Sequence, residues 1–229
     1  ECGTPDLPGR IDPAPPLEGG GAPCITQLGV EADYPYFQLY DEDIDDVTIR
    51  MESVINSVNA QYESEVGITH VISSCVIRTH PQTDPYTTTD AFDLLCQFSR
   101  QWSNTQIDVA LRDAALLFTG LEIDGTTIGR ASNIGSICDQ SACADFPCDG
   151  CTGTPGAMLG SYCFAQADWD ASFGCTTDLV AHELGHLWGA SHCACPANTM
   201  NSGINCSNTF SVASVTAITN YRDTVPCLD

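Results

Sequence analysis

Residues 177–193 read TDLVAHELGHLWGASHC and contain three of the chain's five histidines, His182, His186 and His192, with Glu183 and Gly189 set between them. Imidazoles and a carboxylate at these intervals point to a metal centre that hydrolyses. On a helix, side chains four apart share a face with Cβ atoms about 6 Å apart, so His182 and His186 can bind one ion. Glu183 is rotated about 100° from His182 and can reach the side of that ion where a water would sit. Gly189 can take the left-handed conformation that ends a helix, and the turn it makes can deliver His192 as third ligand. Three neutral histidines leave a tetrahedral zinc one open position, which distinguishes a catalytic site from a structural one. Zinc acidifies the water it holds, and Glu183 can take that proton and return it to a leaving group. The helix needs a start, and Thr177 or Asp178 is expected to cap it. His70 and His80 fall on a predicted strand and in a turn and read as ordinary polar residues.

The segment resembles the zinc helix of the metzincin peptidases, and more narrowly that of their reprolysin (adamalysin-like) branch. Downstream, Met200 in CACPANTMN stands where metzincins have the methionine of the Met-turn, which supports the ligand histidines from below. Phe210 to Ser214 (FSVAS), Ile218 and Tyr221 are similar to the segment leading into the C-terminal helix of these domains. Upstream, residues 113–120 and 125–138 resemble their buried strand, their bulged edge strand and the cysteine that follows. The resemblance implies an α/β metzincin-type fold: a mixed twisted sheet with an active-site helix and a Met-turn. It implies a secreted zinc-dependent endopeptidase with one catalytic zinc on His182, His186 and His192 and a zinc-bound water activated by Glu183. By the same resemblance an extended substrate adds to the sheet edge at Thr127, Ile128, Gly129, Arg130 and Ala131, and Asn201, Ser202 and Gly203 line the main specificity pocket.

Two departures matter. Reprolysins usually carry Asp directly after the third histidine, whereas Cys193 follows His192 here, so the groups supporting the ligands must differ. Cys193 and Cys195 are expected to pair with more distant cysteines. At the other end, CGTPD at residues 2–6 resembles the core of the cysteine switch, a propeptide thiolate that takes the open zinc position in latent matrixins. Glu1 stands where that motif has arginine, and a Cys2–Cys24 disulfide uses every cysteine, so a disulfide and a mature, processed enzyme are expected. The alternative is a latent or structural zinc-binding protein with this fold and no turnover, against which the intact Glu183 argues.

Composition narrows the setting. Fourteen cysteines in 229 residues, an even number, indicate a disulfide-rich domain of an oxidising, extracellular environment. Thirty acidic residues oppose seven basic ones, all arginine, for a net charge of −23, which excludes a phosphate-tracking nucleic-acid binder and disfavours docking on anionic lipid. Residues 184–221 lack Asp, Glu, Lys and Arg, yet hold three cysteines and five asparagines, so no membrane insertion is expected. The partner that remains is a protein or peptide substrate; oligomeric state is not legible. Asn205 begins an Asn-Cys-Ser sequon and is the candidate glycosylation site.

Residues 1–24, with six prolines and five glycines, read as an irregular strap, and residues 25–229 as one catalytic domain. Tyr36 to Tyr40 (YFQLY) reads as the first strand. The acidic run at 41–46 is a solvated helix start in preference to a calcium site, since nothing else supports Ca2+. Val47, Met51, Val54, Ile55, Val58 and Tyr62 then recur at helical spacing. Residues 68–79 predict a second strand, 90–102 a helix, 113–118 a buried strand or helix end, and 138–163 a cysteine-rich surface loop. Alternating strands and helices make an α/β sheet the default.

Overall fold

The computed structural model describes residues 24–104, 112–139 and 160–225. The predicted strap, apart from Cys24, and most of the predicted 138–163 loop lie outside the described residues. The described chain begins with β1 (Cys24–Ala32), then α1 (Tyr34–Leu39), α2 (Ile44–Val66), β2 (Ile68–Ile77), α3 (Ala91–Asn104) and β3 (Ala114–Thr119). There follow β4 (Gly129–Ala131), β5 (Tyr162–Gln166), α4 (Phe173–Leu187) and α5 (Val212–Arg222). The strands form one sheet in the order β2-β1-β3-β5-β4. All neighbours run parallel except β4, which pairs antiparallel to β5 through Arg130 and Phe164. The fold is thus the mixed α/β type expected.

Strand alternation divides the core in two. Ala114, Leu116 and Phe118 of β3 face α2 and α4, while Ala115 and Leu117 face Leu94, Leu95, Phe98 and Trp102 of α3. The stripe Val47, Met51, Val54, Ile55, Val58 and Tyr62 is buried along α2. Asp43 starts that helix by accepting from the Asp45 and Asp46 N–H groups, and Gly67 ends it in the left-handed region at φ 65°. The acidic run therefore acts as a helix cap.

One strand expectation fails. Tyr36 to Tyr40 lies mostly within helix α1, because Asp33 accepts a hydrogen bond from Tyr36 N–H at 2.7 Å and Pro35 occupies the first turn. Capping outweighs the aromatic β-propensity of YFQLY. The first strand among the described residues is β1, whose pattern is interrupted by Gly29; the Trp102 ring fills the space its Cβ would need.

Complete pairing of cysteines is not found either. Cys24, Cys75 and Cys163 are free thiols, so the expected bridge from Cys24 is not formed; Cys2 lies outside the described residues. Cys163 is sealed inside β5, where burial foremost, and then the Glu183 charge, push its thiol well above the ordinary range.

Candidate active site

Helix α4 is buried from Cys175 to Leu187, which accounts for its having only two acidic side chains, Asp178 and Glu183. It starts earlier than predicted. Ser172 is its N-cap and makes no side-chain capping bond, so neither Thr177 nor Asp178 is the cap. Tertiary contacts hold this end instead: the Arg50 guanidinium lies 4.8 Å from the centre of the Phe173 ring, and Cys175 is bridged to Cys206. Thr177 and Asp178 are interior, buried residues.

The structure brings His182, His186 and His192 together, with candidate ligand atoms all within 4.8 Å of one another. His186 Nε2 stands 3.1 Å from His182 Nε2 and 3.2 Å from His192 Nε2. Nitrogens bound to one tetrahedral zinc at about 2.0–2.1 Å stand about 3.3 Å apart, so the triad is already spaced for that ion. The opposite ring nitrogens show why. His182 Nδ1 lies 2.6 Å from the Thr199 carbonyl, and His186 Nδ1 lies 2.7 Å from the Ala190 carbonyl. A carbonyl can only accept, so each Nδ1 carries the proton and each Nε2 turns a lone pair inward. Burial, reinforced by the two neighbouring imidazoles, holds the His186 pKa well below the ordinary histidine value and keeps it neutral, as a metal ligand must be.

Gly189 has φ 92°, and its N–H donates to the His186 carbonyl at 2.9 Å, so the chain leaves the helix directly after the second histidine. Its lack of a Cβ also admits Tyr221 of α5, whose own Cβ lies 2.9 Å from where a Cβ on Gly189 would stand. Met200 is fully buried beneath α4: a Cβ on Gly185 would lie 2.5 Å from its sulfur. Gly185, an unassigned position inside the motif, is therefore the notch that seats Met200. Cys193 pairs with Cys195, not with a distant cysteine; their Cα atoms are 5.2 Å apart, within disulfide reach. The Cys193 N–H also donates to the Met200 carbonyl at 2.9 Å, so the loop turns tightly after His192.

Glu183 is buried beside β4, and a Cβ on Gly129 would lie 2.5 Å from its Oε1. Gly129 thus lets the edge strand approach the carboxylate closely. Ala131 is also buried on this face, and Arg130 lies on the other with its guanidinium 5.2 Å from the Phe92 ring centre. The Ile128 carbonyl accepts from Gln166 N–H at 2.8 Å, and Thr127 is half-buried just before it. Asn201 folds its amide back onto the Gly203 carbonyl at 2.7 Å, with Ser202 exposed between them. Asn205 is exposed, with its amide nitrogen 3.3 Å from the Asn198 carbonyl.

His70 lies outside the triad but braces its helix. Its Nδ1 is 3.0 Å from Asn59 Oδ1, and its Nε2 accepts from the Trp188 indole N–H at 3.0 Å, just past the end of α4. Burial lowers its pKa to about 3, and the indole donor occupies the nitrogen that would be protonated. An unfolded histidine titrates near 6.5, so between these values the unfolded chain binds more protons. His70 therefore contributes stability that is full above pH 6.5 and is lost as the pH falls toward 3. From pH 6 to 4 the wild-type protein is expected to lose about 1 kcal/mol more per pH unit than His70→Gln does. Parallel unfolding profiles of the two proteins would contradict this. His80, by contrast, is exposed in the turn after β2.

A family model of reprolysin type, described as metallo-peptidase family M12, matches residues 24–224.

Proposed function

Because the chain belongs to metallopeptidase family M12, of reprolysin type, we propose that it is a secreted zinc-dependent endopeptidase in which Glu183 moves the proton. The observation that carries the reading is the convergence of three Nε2 atoms, two of them with their protons fixed on the far nitrogen by the Thr199 and Ala190 carbonyls. His182, His186 and His192 would hold the ion, which when bound acidifies a water and polarises the scissile carbonyl. Glu183 accepts the proton from the attacking water and delivers it to the leaving amine, so a single carboxylate serves as base and then as acid. No covalent bond to the chain is required.

The substrate is a protein or peptide lying extended against β4, an outer strand of the sheet, with Thr127 to Ala131 supplying backbone partners. Asn201, Ser202 and Gly203 border the main specificity pocket. The net charge of −23 favours basic substrates and disfavours nucleic acid. Extracellular residence is supported by the Cys175–Cys206 and Cys193–Cys195 disulfides. Among the described residues no helix is long and apolar enough to cross a membrane.

The test is hydrolysis of casein and of a quenched-peptide library, before and after chelation and again after zinc is returned. Cleavage should vanish with the chelator and recover with zinc. Chelator-resistant cleavage, or a zinc-loaded protein that cuts nothing, would defeat the proposal; the second result would point to a latent or structural protein.

A further inference from the structure

We propose that Asp178 is a positioning residue for the zinc ligand His182, acting through Thr199; this rests on the zinc-peptidase reading above. Asp178 stands one helical turn before His182 on α4 and is fully buried. Its Oδ1 accepts from the Thr199 hydroxyl at 2.7 Å and from Asn208 N–H at 3.0 Å, and its Oδ2 accepts from Ser207 N–H at 3.2 Å. The same Thr199 presents its carbonyl to His182 Nδ1 at 2.6 Å. Carboxylate, hydroxyl, carbonyl and imidazole thus close a loop whose last side is the helix itself.

The choice of a charged group at a fully buried position follows from the donors it meets. A carboxylate accepts from all three, whereas an amide of the same shape would turn an NH2 toward one of them. Thr199 has one hydroxyl hydrogen, and Asp178 can only accept, so that hydrogen is committed to the helix. The hydroxyl oxygen is left to accept from Thr209 N–H at 3.0 Å, and the Gln61 amide packs 3.0 Å away. Thr199 is thus tied by its hydroxyl to both Asp178 and Thr209, and its N–H donates to the Thr209 carbonyl at 2.8 Å, which together hold the carbonyl that sets the tautomer and tilt of His182. After the third ligand the chain offers Cys193, tied to Cys195, and the carboxylate that braces this loop comes from within the helix instead.

The experiment is competition for zinc against a chromogenic chelator, using wild type, D178N and T199V. T199V keeps the carbonyl and nearly the volume of the side chain while removing the hydroxyl link, and it decides the matter if D178N does not fold. Each variant is expected to bind zinc about 10–100-fold more weakly. The double variant should be no worse than the weaker single one, because the two substitutions cut the same link. A purely structural role would lower the melting temperature of the zinc-free and zinc-loaded forms equally and leave the dissociation constant unchanged. Wild-type zinc affinity in folded D178N or T199V would overturn this proposal alone, whereas a wild-type protein that takes up no zinc would remove both readings together.

Discussion

Glu183→Gln is expected to lower kcat/KM for peptide hydrolysis by about 10²–10⁴-fold while leaving one zinc per chain. The substitution preserves the shape that fits against Gly129, where the carboxylate oxygen and the strand are in near contact. It touches none of the three histidines, nor the Thr199 and Ala190 carbonyls that orient two of them. What it removes is the capacity to accept a proton from water and hand it on, since an amide is not basic at neutral pH. Rates on a quenched peptide together with elemental analysis check the result. A variant within a few-fold of wild type with its zinc intact would show that another group moves the proton.

His186→Ala should act by a different route. His186 is the central histidine of the triad, with its Nε2 within 3.1 and 3.2 Å of the other two, so its loss leaves His182 and His192 without the nitrogen between them. Zinc content should fall far below one per chain and hydrolysis to background. Stability responds as well. A ligand at about 100 times its dissociation constant stabilises the state it binds by about 2.7 kcal/mol, and that zinc-dependent increment should disappear from the variant's melting curve. A melting temperature in His186→Ala that still rises on adding zinc would place the metal elsewhere.

The histidine triad was legible as a candidate metal site because it is local: three histidines within one helix and one turn, at spacings that helical geometry interprets directly. The parts that orient the triad were not. Thr199 and Ala190 contribute backbone carbonyls, which carry no residue identity, and Gly185 matters only because Met200 approaches it from a distant loop. Asp178 was misread as a cap because a threonine–aspartate pair ahead of an apolar run ordinarily marks a helix start. The helix begins five residues earlier, at Phe173, and an aspartate four before a ligand inside a buried helix was the available signal. In the fold, α2 followed from its apolar stripe, whereas β1 was obscured by Gly29, whose absent side chain makes sense only beside Trp102. The Cys193–Cys195 pairing was likewise hidden, since spacing alone does not specify connectivity.

Tyr221 fits against Gly189 and Gly135, with its ring edge-on to Trp188, and the next residue, Arg222, donates to the Val66 carbonyl at the end of α2. A ribosome makes this wedge after the last of the three histidines, His192. During synthesis the three histidines therefore emerge before the side chain that backs their turn exists. The turn that carries His192 is therefore backed only once α5 has been made.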